Sequence, residues 1–183
     1  MPTRPIPPLL EQLRNSTKAA HANLDTAFNL EQITSSPAAC EAYLLKFSKA
    51  FQVVAKQIDW NLAASLELPD LPARRGRYGQ LPSAPFTYGD STISETVGTL
   101  YVLEGSVHGG GQILRRIHEK HPDAQLAGGG FLRGFGEKNP IMWRAFVSWL
   151  GGLKLSPEEM AGCCAIACET FEVFERYLND KTS

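Results

Sequence analysis

The sequence predicts an all-α fold in a single domain, and three observations support that prediction. Apolar residues recur at the three- and four-residue spacing of amphipathic helices along most of the 183-residue chain. Serine, threonine or asparagine precedes proline or glutamate at several points, as is typical of helix starts. No stretch of four to eight residues alternates apolar and polar side chains in the manner of a half-buried strand. We therefore expect one helical domain over residues 1–183, with its core between about 9 and 178.

The helix boundaries follow from local signals. Proline follows an N-cap residue at three of the starts, Ser36-Pro37, Asn139-Pro140 and Ser156-Pro157. Thr92 and Glu95 have the spacing of a capping box, which opens another helix. In chain order, we expect helices near residues 8–28, 37–65, 70–78, 92–119, 140–151 and 157–178, with Pro- and Gly-rich loops at 80–91 and 121–139.

The composition excludes several classes of protein. Because 18 Lys and Arg residues face 19 Asp and Glu residues, the net charge is −1 and no broad basic field is available for a nucleic acid. No apolar run reaches the roughly 18 residues of a membrane span, and the first residues lack the apolar segment of a signal peptide. We therefore expect a cytoplasmic protein that has neither a nucleic acid nor a membrane as partner.

The four cysteines are too few for a disulfide scaffold in a chain of this length. Cys163, Cys164 and Cys168 lie among small apolar residues of the last predicted helix. Buried helix packing is far commoner for such residues than a metal site or a redox pair. We therefore interpret this cluster as structural.

The first candidate site lies in the first predicted helix, where His21 sits at the edge of the apolar stripe. Asp25 follows one turn later, so its carboxylate can reach the imidazole. A carboxylate that fixes the imidazole tautomer is typical support for a metal-bound histidine. Arg14 and Lys18 share the helical side of His21, and two cations there suit a ligand that joins a metal to carboxylates. The alternative is a solvated histidine in a common His–Asp pair.

The second candidate site is a helix that passes through glycines. Gly105, Gly109, Gly110 and Gly111 fall within seven residues, with apolar positions at helical spacing on both sides. Each glycine costs about 1 kcal/mol relative to alanine in a helix interior, so the four cost up to roughly 4 kcal/mol. Gly105 and Gly109 are one turn apart and strip one face of side chains. From spacing alone, a flat ligand and a tight helix crossing remain equally open, and a loop is a further alternative.

Together, these segments resemble the heme oxygenase family, in particular its compact bacterial, biliverdin-producing branch associated with bacteriophytochromes. Residues 13–21, Leu-Arg-Asn-Ser-Thr-Lys-Ala-Ala-His, resemble the family's proximal-helix pattern Leu-(Lys/Arg)-x-x-Thr-Lys-x-x-His. Residues 101–106, Tyr-Val-Leu-Glu-Gly-Ser, and the glycines that follow look like its glycine-bent distal helix. The last helix, with Phe171, aligns with its C-terminal heme-contacting helix. The resemblance spans about residues 9–178.

The resemblance implies a heme-oxygenase-like helical domain with heme between the first helix and the glycine helix. The implied activity is the O2- and electron-dependent cleavage of heme, which is both substrate and cofactor, to biliverdin, CO and Fe2+. His21 would be the proximal iron ligand, and Asp25 would hydrogen-bond its imidazole. Lys18 and Arg14 would contact the heme propionates. Tyr101 and Phe171 would pack on the macrocycle, and Gly105 and Gly109 would lie over its distal face.

Two distal positions depart from the family's best-known pattern. Ser106 stands where many members carry the aspartate that anchors a catalytic water, so we expect the backbone and Ser106 to hold that water. His108 replaces a more usual apolar residue and has three interpretations: a hydrogen-bond donor near bound oxygen, a sixth iron ligand, or a surface residue. A bis-histidine site would slow oxygen binding. The alternative function is therefore a heme-binding or heme-trafficking protein on the same fold, without turnover.

The resemblance also implies partners. An external electron donor, a ferredoxin or a reductase, would drive the reaction, and a phytochrome would accept the biliverdin. Three arginines precede Tyr78, and we interpret them as a solvated face, with a docking surface for an acidic reductase or ferredoxin as the alternative: Arg74, Arg75 and Arg77.

Overall fold

The computed structural model describes residues 6–27, 29–79, 91–123 and 132–180. Over these ranges the chain forms eight α-helices and no strand, which confirms the all-α prediction. A short 3₁₀ helix, Gly136–Lys138, precedes the seventh α-helix. The α-helices are α1 Pro8–Ala27, α2 Leu30–Ile33, α3 Pro37–Ala55, α4 Trp60–Ser65, α5 Leu71–Gly79, α6 Ile93–Lys120, α7 Asn139–Gly152 and α8 Pro157–Asn179.

The capping residues fix where three long helices begin. The Ser36 hydroxyl accepts the Ala39 N–H at 3.1 Å and starts α3. Thr92 and Glu95 form a complete capping box at the start of α6, and Ser156 forms another at the start of α8. In each box a side chain accepts a backbone N–H of the other residue, so two N–H groups that the helix leaves unpaired are satisfied. These starts agree with the predicted ones.

The prediction of one helix over residues 37–65 is wrong. The chain leaves the helix after Ala55 and re-enters it at Trp60. The Asp59 carboxylate accepts the N–H groups of Asn61 and Leu62, at 2.8 and 3.1 Å, and so acts as an N-cap in the middle of the predicted helix. An aspartate that bonds nearby backbone favours a new start over a continuous helix.

The structure also differs from the prediction at one short helix and can be compared with the two predicted loops only in part. Helix α2 was not predicted; it begins at Leu30, after the N-cap Asn29, whose side chain accepts the Gln32 N–H at 3.0 Å. Of the predicted loop 80–91, only Ser91 falls within the described residues. The predicted loop 121–139 includes the 3₁₀ helix and the first residue of α7, while its residues 124–131 lie outside the described ranges.

Helix α8 is the central packing element, because it lies against α1, α3 and α6. A Cβ at Gly98 would lie 2.6 Å from the Cys163 carbonyl oxygen, so glycine is what lets α6 and α8 approach each other. By contrast, α1 and α6 hardly touch directly. The space that α8 holds open between them becomes the cavity described below. None of the described helices has the length and apolar character needed to cross a membrane.

The cysteines of α8 have the structural surroundings that we expected. Cys163 and Cys164 are buried, and burial raises the pKa of the Cys163 thiol to about 11. Cys168 is half-buried and donates to the Ser16 carbonyl of α1 at 3.4 Å. The high pKa keeps the buried Cys163 thiol neutral near pH 7, so it is a poor nucleophile.

Candidate functional site

A cavity of about 400 Å³ lies between α1 and α6. This volume falls within the range of small-molecule sites. Helix α1 supplies one wall, α6 the opposite wall, and α2, α3, α7 and α8 close the ends. The lining residues are His21, Leu24, Asp25, Leu30, Phe47, Tyr101, Val102, Gly105, Ser106, His108, Gly109, Gly110, Gln112, Ile113, Trp143, Phe171 and Phe174.

The α1 wall presents a histidine that is braced on one ring nitrogen. The Nδ1 atom of His21 lies 2.9 Å from an Asp25 carboxylate oxygen, and the side chains are 61% and 67% exposed, respectively. The His21 ring also lies against Phe171 of α8, with ring centroids 5.5 Å apart. When Nδ1 donates its hydrogen to Asp25, Nε2 keeps its lone pair and remains available to a metal. The i,i+4 contact expected from the sequence is therefore present.

The α6 wall contains the glycine face. A Cβ at Gly109 would meet no heavy atom within 4 Å, and a Cβ at Gly105 would come no closer than 3.9 Å to the Trp143 ring. Gly110 differs, because its Cβ would lie 2.7 Å from the Leu132 carbonyl oxygen. The close approach at Gly110 is to Leu132, which lies outside the α-helices, so it is not a helix crossing, and the flat ligand at Gly105 and Gly109 stays a prediction. Gly105 and Gly109 leave this part of the cavity wall without side chains, whereas Gly110 permits the close approach of the Leu132 backbone.

Two polar side chains of α6 lie beside this bare face. Ser106 is half-buried, and its hydroxyl donates to the Leu103 carbonyl at 2.7 Å. His108 is exposed on the cavity lining, and its ring meets the Trp143 ring edge-on at 5.3 Å. Both predicted distal residues therefore line the cavity. Trp143 fixes the side of α6 on which the His108 ring rests.

Three other residues that were expected to contact the ligand, Tyr101, Arg14 and Lys18, divide into two groups. Tyr101 lines the cavity, and burial raises the pKa of its phenol, while contact with Thr17 and the charge of Arg14 oppose that shift. The phenol is therefore protonated at neutral pH. Arg14 and Lys18 are exposed on α1 and do not line the cavity wall.

The predicted solvated face of arginines is wrong for two of its three members. Arg74 is fully buried and Arg77 is 4% exposed, and only Arg75 is exposed. Arg74 forms an ion pair with Glu104 of α6, and Tyr78 donates to the other carboxylate oxygen at 3.0 Å. Glu104 of this cluster immediately precedes Gly105 in α6 and points about 100° away from it around the helix. The buried Glu104 carboxylate of α6 is the partner of Arg74, whereas Arg77 donates to the Leu103 carbonyl and to Ser106 Oγ of the same helix.

Sequence reasoning did not single out part of the cavity. Trp143, Phe47 and Phe174 line it, and none of them was among the predicted site residues. The rings of Phe47 and Phe174 lie tilted against each other, with centroids 4.9 Å apart, and form the apolar floor of the cavity. Nothing in the helical pattern of α3, α7 or α8 distinguishes a residue that faces a cavity from one that faces another helix. The contact between Arg77 and Ser106, 3.4 Å from Nη2 to Oγ, was missed for the same reason.

Two comparisons with known proteins found a similarity, one in sequence and one in fold, and a third found none. A family model described as heme oxygenase matches residues 87–180, slightly more than half of the chain, including α6, α7 and α8. Among solved structures, the chain is similar to the NO- and CO-bound heme oxygenase from Neisseria meningitidis, with a TM-score of 0.70 and 23% identity over 93% of this chain and 89% of that chain. No curated protein sequence matches the chain.

Proposed function

The chain belongs to the heme oxygenase family, and we propose that it cleaves heme to biliverdin, CO and Fe2+ with O2 and externally supplied electrons. One observation carries the proposal. The Asp25-braced His21 and the glycine face of α6 line the same cavity from opposite walls. A flat macrocycle that carries an iron atom matches both walls at once. Heme supplies the iron that activates dioxygen and is also the molecule that is oxidised.

We assign His21 as the proximal ligand of the heme iron. The Asp25 carboxylate accepts a hydrogen bond from the Nδ1–H group of His21. This bond orients the ring and increases the basicity of Nε2. Phe171 supports the same ring from α8 and stands where it can also pack on the macrocycle. A neutral histidine ligand leaves the opposite iron face open and, unlike a thiolate, gives no strong push toward O–O cleavage.

Gly105 and Gly109 admit the macrocycle close to the backbone of α6. Side chains at these positions would occupy the cavity, because the space around their missing Cβ atoms is largely open. With heme bound, the α6 backbone at Gly105 and Gly109 would restrict the space for a small molecule such as dioxygen and would favour its approach to one edge of the macrocycle. Tyr101 and the apolar floor fix the orientation of the macrocycle. Arg14 and Lys18 would meet its propionates from α1 by charge attraction.

On the distal side, Ser106 would hold a water molecule that delivers protons. Ser106 lines the cavity beside Gly105, at the position where many members of the family carry an aspartate, and its hydroxyl would turn from the Leu103 carbonyl toward that water. His108 would serve as a hydrogen-bond donor at the rim, since its ring rests on the edge of Trp143. An external ferredoxin or reductase would supply the electrons. We further propose the cytoplasm as the site of action and a phytochrome as an acceptor of the product.

Turnover of a stoichiometric heme complex tests the proposal. Purified protein is mixed with ferric heme, and a reductant is added in air while the absorption spectrum is recorded. We expect the Soret band to decline while a broad red band of biliverdin grows, with the product identified by mass spectrometry. A stable ferrous low-spin spectrum would overturn the enzymatic proposal in favour of a heme carrier.

The same assay tests the ligand assignment. Substituting His21→Ala should abolish turnover and weaken heme binding, because His21 is the one histidine that α1 contributes to the described cavity lining. His118→Ala is a matched control, since His118 is exposed on α6 and does not line the cavity. Unchanged turnover in His21→Ala would refute the assignment of His21.

A further inference from the structure

We propose that Arg77 is a positioning residue that turns the Ser106 hydroxyl into a hydrogen-bond donor toward the cavity. This inference rests on the proposed function, since it concerns the distal wall of the same site. Arg77 belongs to α5 and does not line the cavity itself. It reaches the distal wall from behind, through the backbone and one hydroxyl of α6.

The contacts of the Arg77 guanidinium define this role. Nη1 donates to the Leu103 carbonyl at 3.2 Å, and Nη2 donates to Ser106 Oγ at 3.4 Å. Ser106 Oγ in turn donates to the same Leu103 carbonyl at 2.7 Å. The three groups form a closed triangle in which one carbonyl accepts from both side chains.

This triangle leaves the hydroxyl free to turn. A serine hydroxyl has a single hydrogen, so Ser106 cannot donate to Leu103 and to a ligand in the cavity at once. Because Arg77 also donates to the Leu103 carbonyl, that oxygen keeps a side-chain partner when the Ser106 hydrogen rotates into the cavity. The second Arg77 bond polarises Oγ and makes its hydrogen a stronger donor.

The burial of Arg77 indicates more than a packing role. Its side chain is 4% exposed, and its Nε has no hydrogen-bond partner. Within the described ranges no carboxylate pairs with it, because Glu104 is engaged by Arg74 and Tyr78. Its guanidinium lies instead over the rings of Phe51, Tyr78 and Phe135, at 5.3 to 5.6 Å. Aromatic faces compensate a buried cation only in part, so positive charge remains behind the distal wall.

Fluoride binding to the ferric heme complex measures this donor without turnover. The bound anion accepts a hydrogen bond, so its dissociation constant, read from the absorption spectrum at neutral pH, reports the Ser106 donor. We expect Ser106→Ala to weaken fluoride binding about tenfold or more, since hydrogen bonds to charged groups have that strength. Arg77→Gln should weaken it several-fold. The double variant should match Ser106→Ala alone, because Arg77 acts through Ser106.

A second Arg77 variant and a control at Arg75 accompany these measurements. Arg77→Lys retains the charge but cannot donate two hydrogen bonds in the geometry of a guanidinium, and it replaces Arg77→Gln in the experiment if that variant does not fold. The loss of fluoride affinity that Arg77→Lys causes should likewise vanish in the Ser106→Ala background. Arg75→Gln, on the exposed neighbour, should leave fluoride affinity unchanged. Effects of Arg77 substitutions that persist in full in the Ser106→Ala background, or no effect in the wild-type background, would overturn the role of Arg77.

The outcomes also separate this inference from the proposed function. Normal heme binding and turnover combined with additive fluoride effects would overturn the role of Arg77 alone. The predicted fluoride pattern without biliverdin formation would overturn the enzymatic function and support the distal donor. A protein that does not bind heme would overturn both.

Discussion

Replacing Gly109 with alanine should stabilise the free protein and weaken its heme complex. A Cβ at this position would meet no heavy atom within 4 Å, so the substitution creates no clash in the free protein. Alanine is favoured over glycine in a helix interior by about 1 kcal/mol. For a chain of this size, that gain corresponds to a rise in Tm of about 2–4 °C.

The loss of heme affinity has a separate cause. Gly109 lines the cavity, so the new methyl group would occupy space that we assign to the macrocycle. Overfilling a packed site costs about 1–3 kcal/mol, which corresponds to about 5- to 150-fold weaker binding. The substitution should therefore move stability and affinity in opposite directions.

Two neighbouring glycines provide the controls. A Cβ at Gly111 also meets nothing within 4 Å, but Gly111 does not line the cavity, so Gly111→Ala should raise Tm and leave heme affinity unchanged. Gly110→Ala should lower Tm, because its Cβ would lie 2.7 Å from the Leu132 carbonyl oxygen. Thermal unfolding of the free proteins and heme titration followed at the Soret band give both quantities. Full heme affinity in Gly109→Ala would refute the placement of the macrocycle against this face.

Three further outcomes follow from the buried groups. Glu104→Gln removes the carboxylate partner of the fully buried Arg74 and should cost about 3–5 kcal/mol in urea unfolding; a loss below about 1 kcal/mol would contradict the buried pair. Burial and the neighbouring Glu104 charge raise the pKa of Tyr78 well above its ordinary value. Its contribution to stability is therefore complete below about pH 10 and is lost as the pH rises beyond that. Tyr78→Phe should accordingly reduce the fall of the unfolding free energy at alkaline pH. An unchanged slope of unfolding free energy against pH would argue against the raised pKa of Tyr78. A thiol-alkylating reagent at neutral pH should label the half-buried Cys168 before the buried Cys163, as peptide mass spectrometry would show; the reverse order would contradict the packing of α8.

Much of the fold could be predicted because its determinants are local. The hydroxyl of Ser36 and the two capping boxes act within one helical turn, so their residue types alone place three helix starts. The His21–Asp25 contact is equally local, since a helix brings residues four apart together. The signal that divides the predicted helix 37–65 into α3 and α4 is also local. It was missed because Asp59 caps a new helix inside an otherwise regular apolar pattern.

The parts that could not be predicted depend on contacts between distant segments. Arg74 and Arg77 look like surface residues until α5 packs against α6 and brings Arg74 to Glu104. Trp143 looks like core until α7 places it at the end of the cavity, next to His108. Such positions have no signature in residue type or spacing, because their surroundings are set by helices more than 25 residues away in sequence.

The iron–histidine stretching band in the resonance Raman spectrum of the ferrous heme complex tests the central claim most directly. The claim is that heme lies between the two walls of the cavity with its iron bound to His21. We expect the band in the wild-type complex and in the His118→Ala complex, and we expect it to be absent from His21→Ala. A band that persists unchanged in His21→Ala would show that another residue holds the iron and would contradict the account.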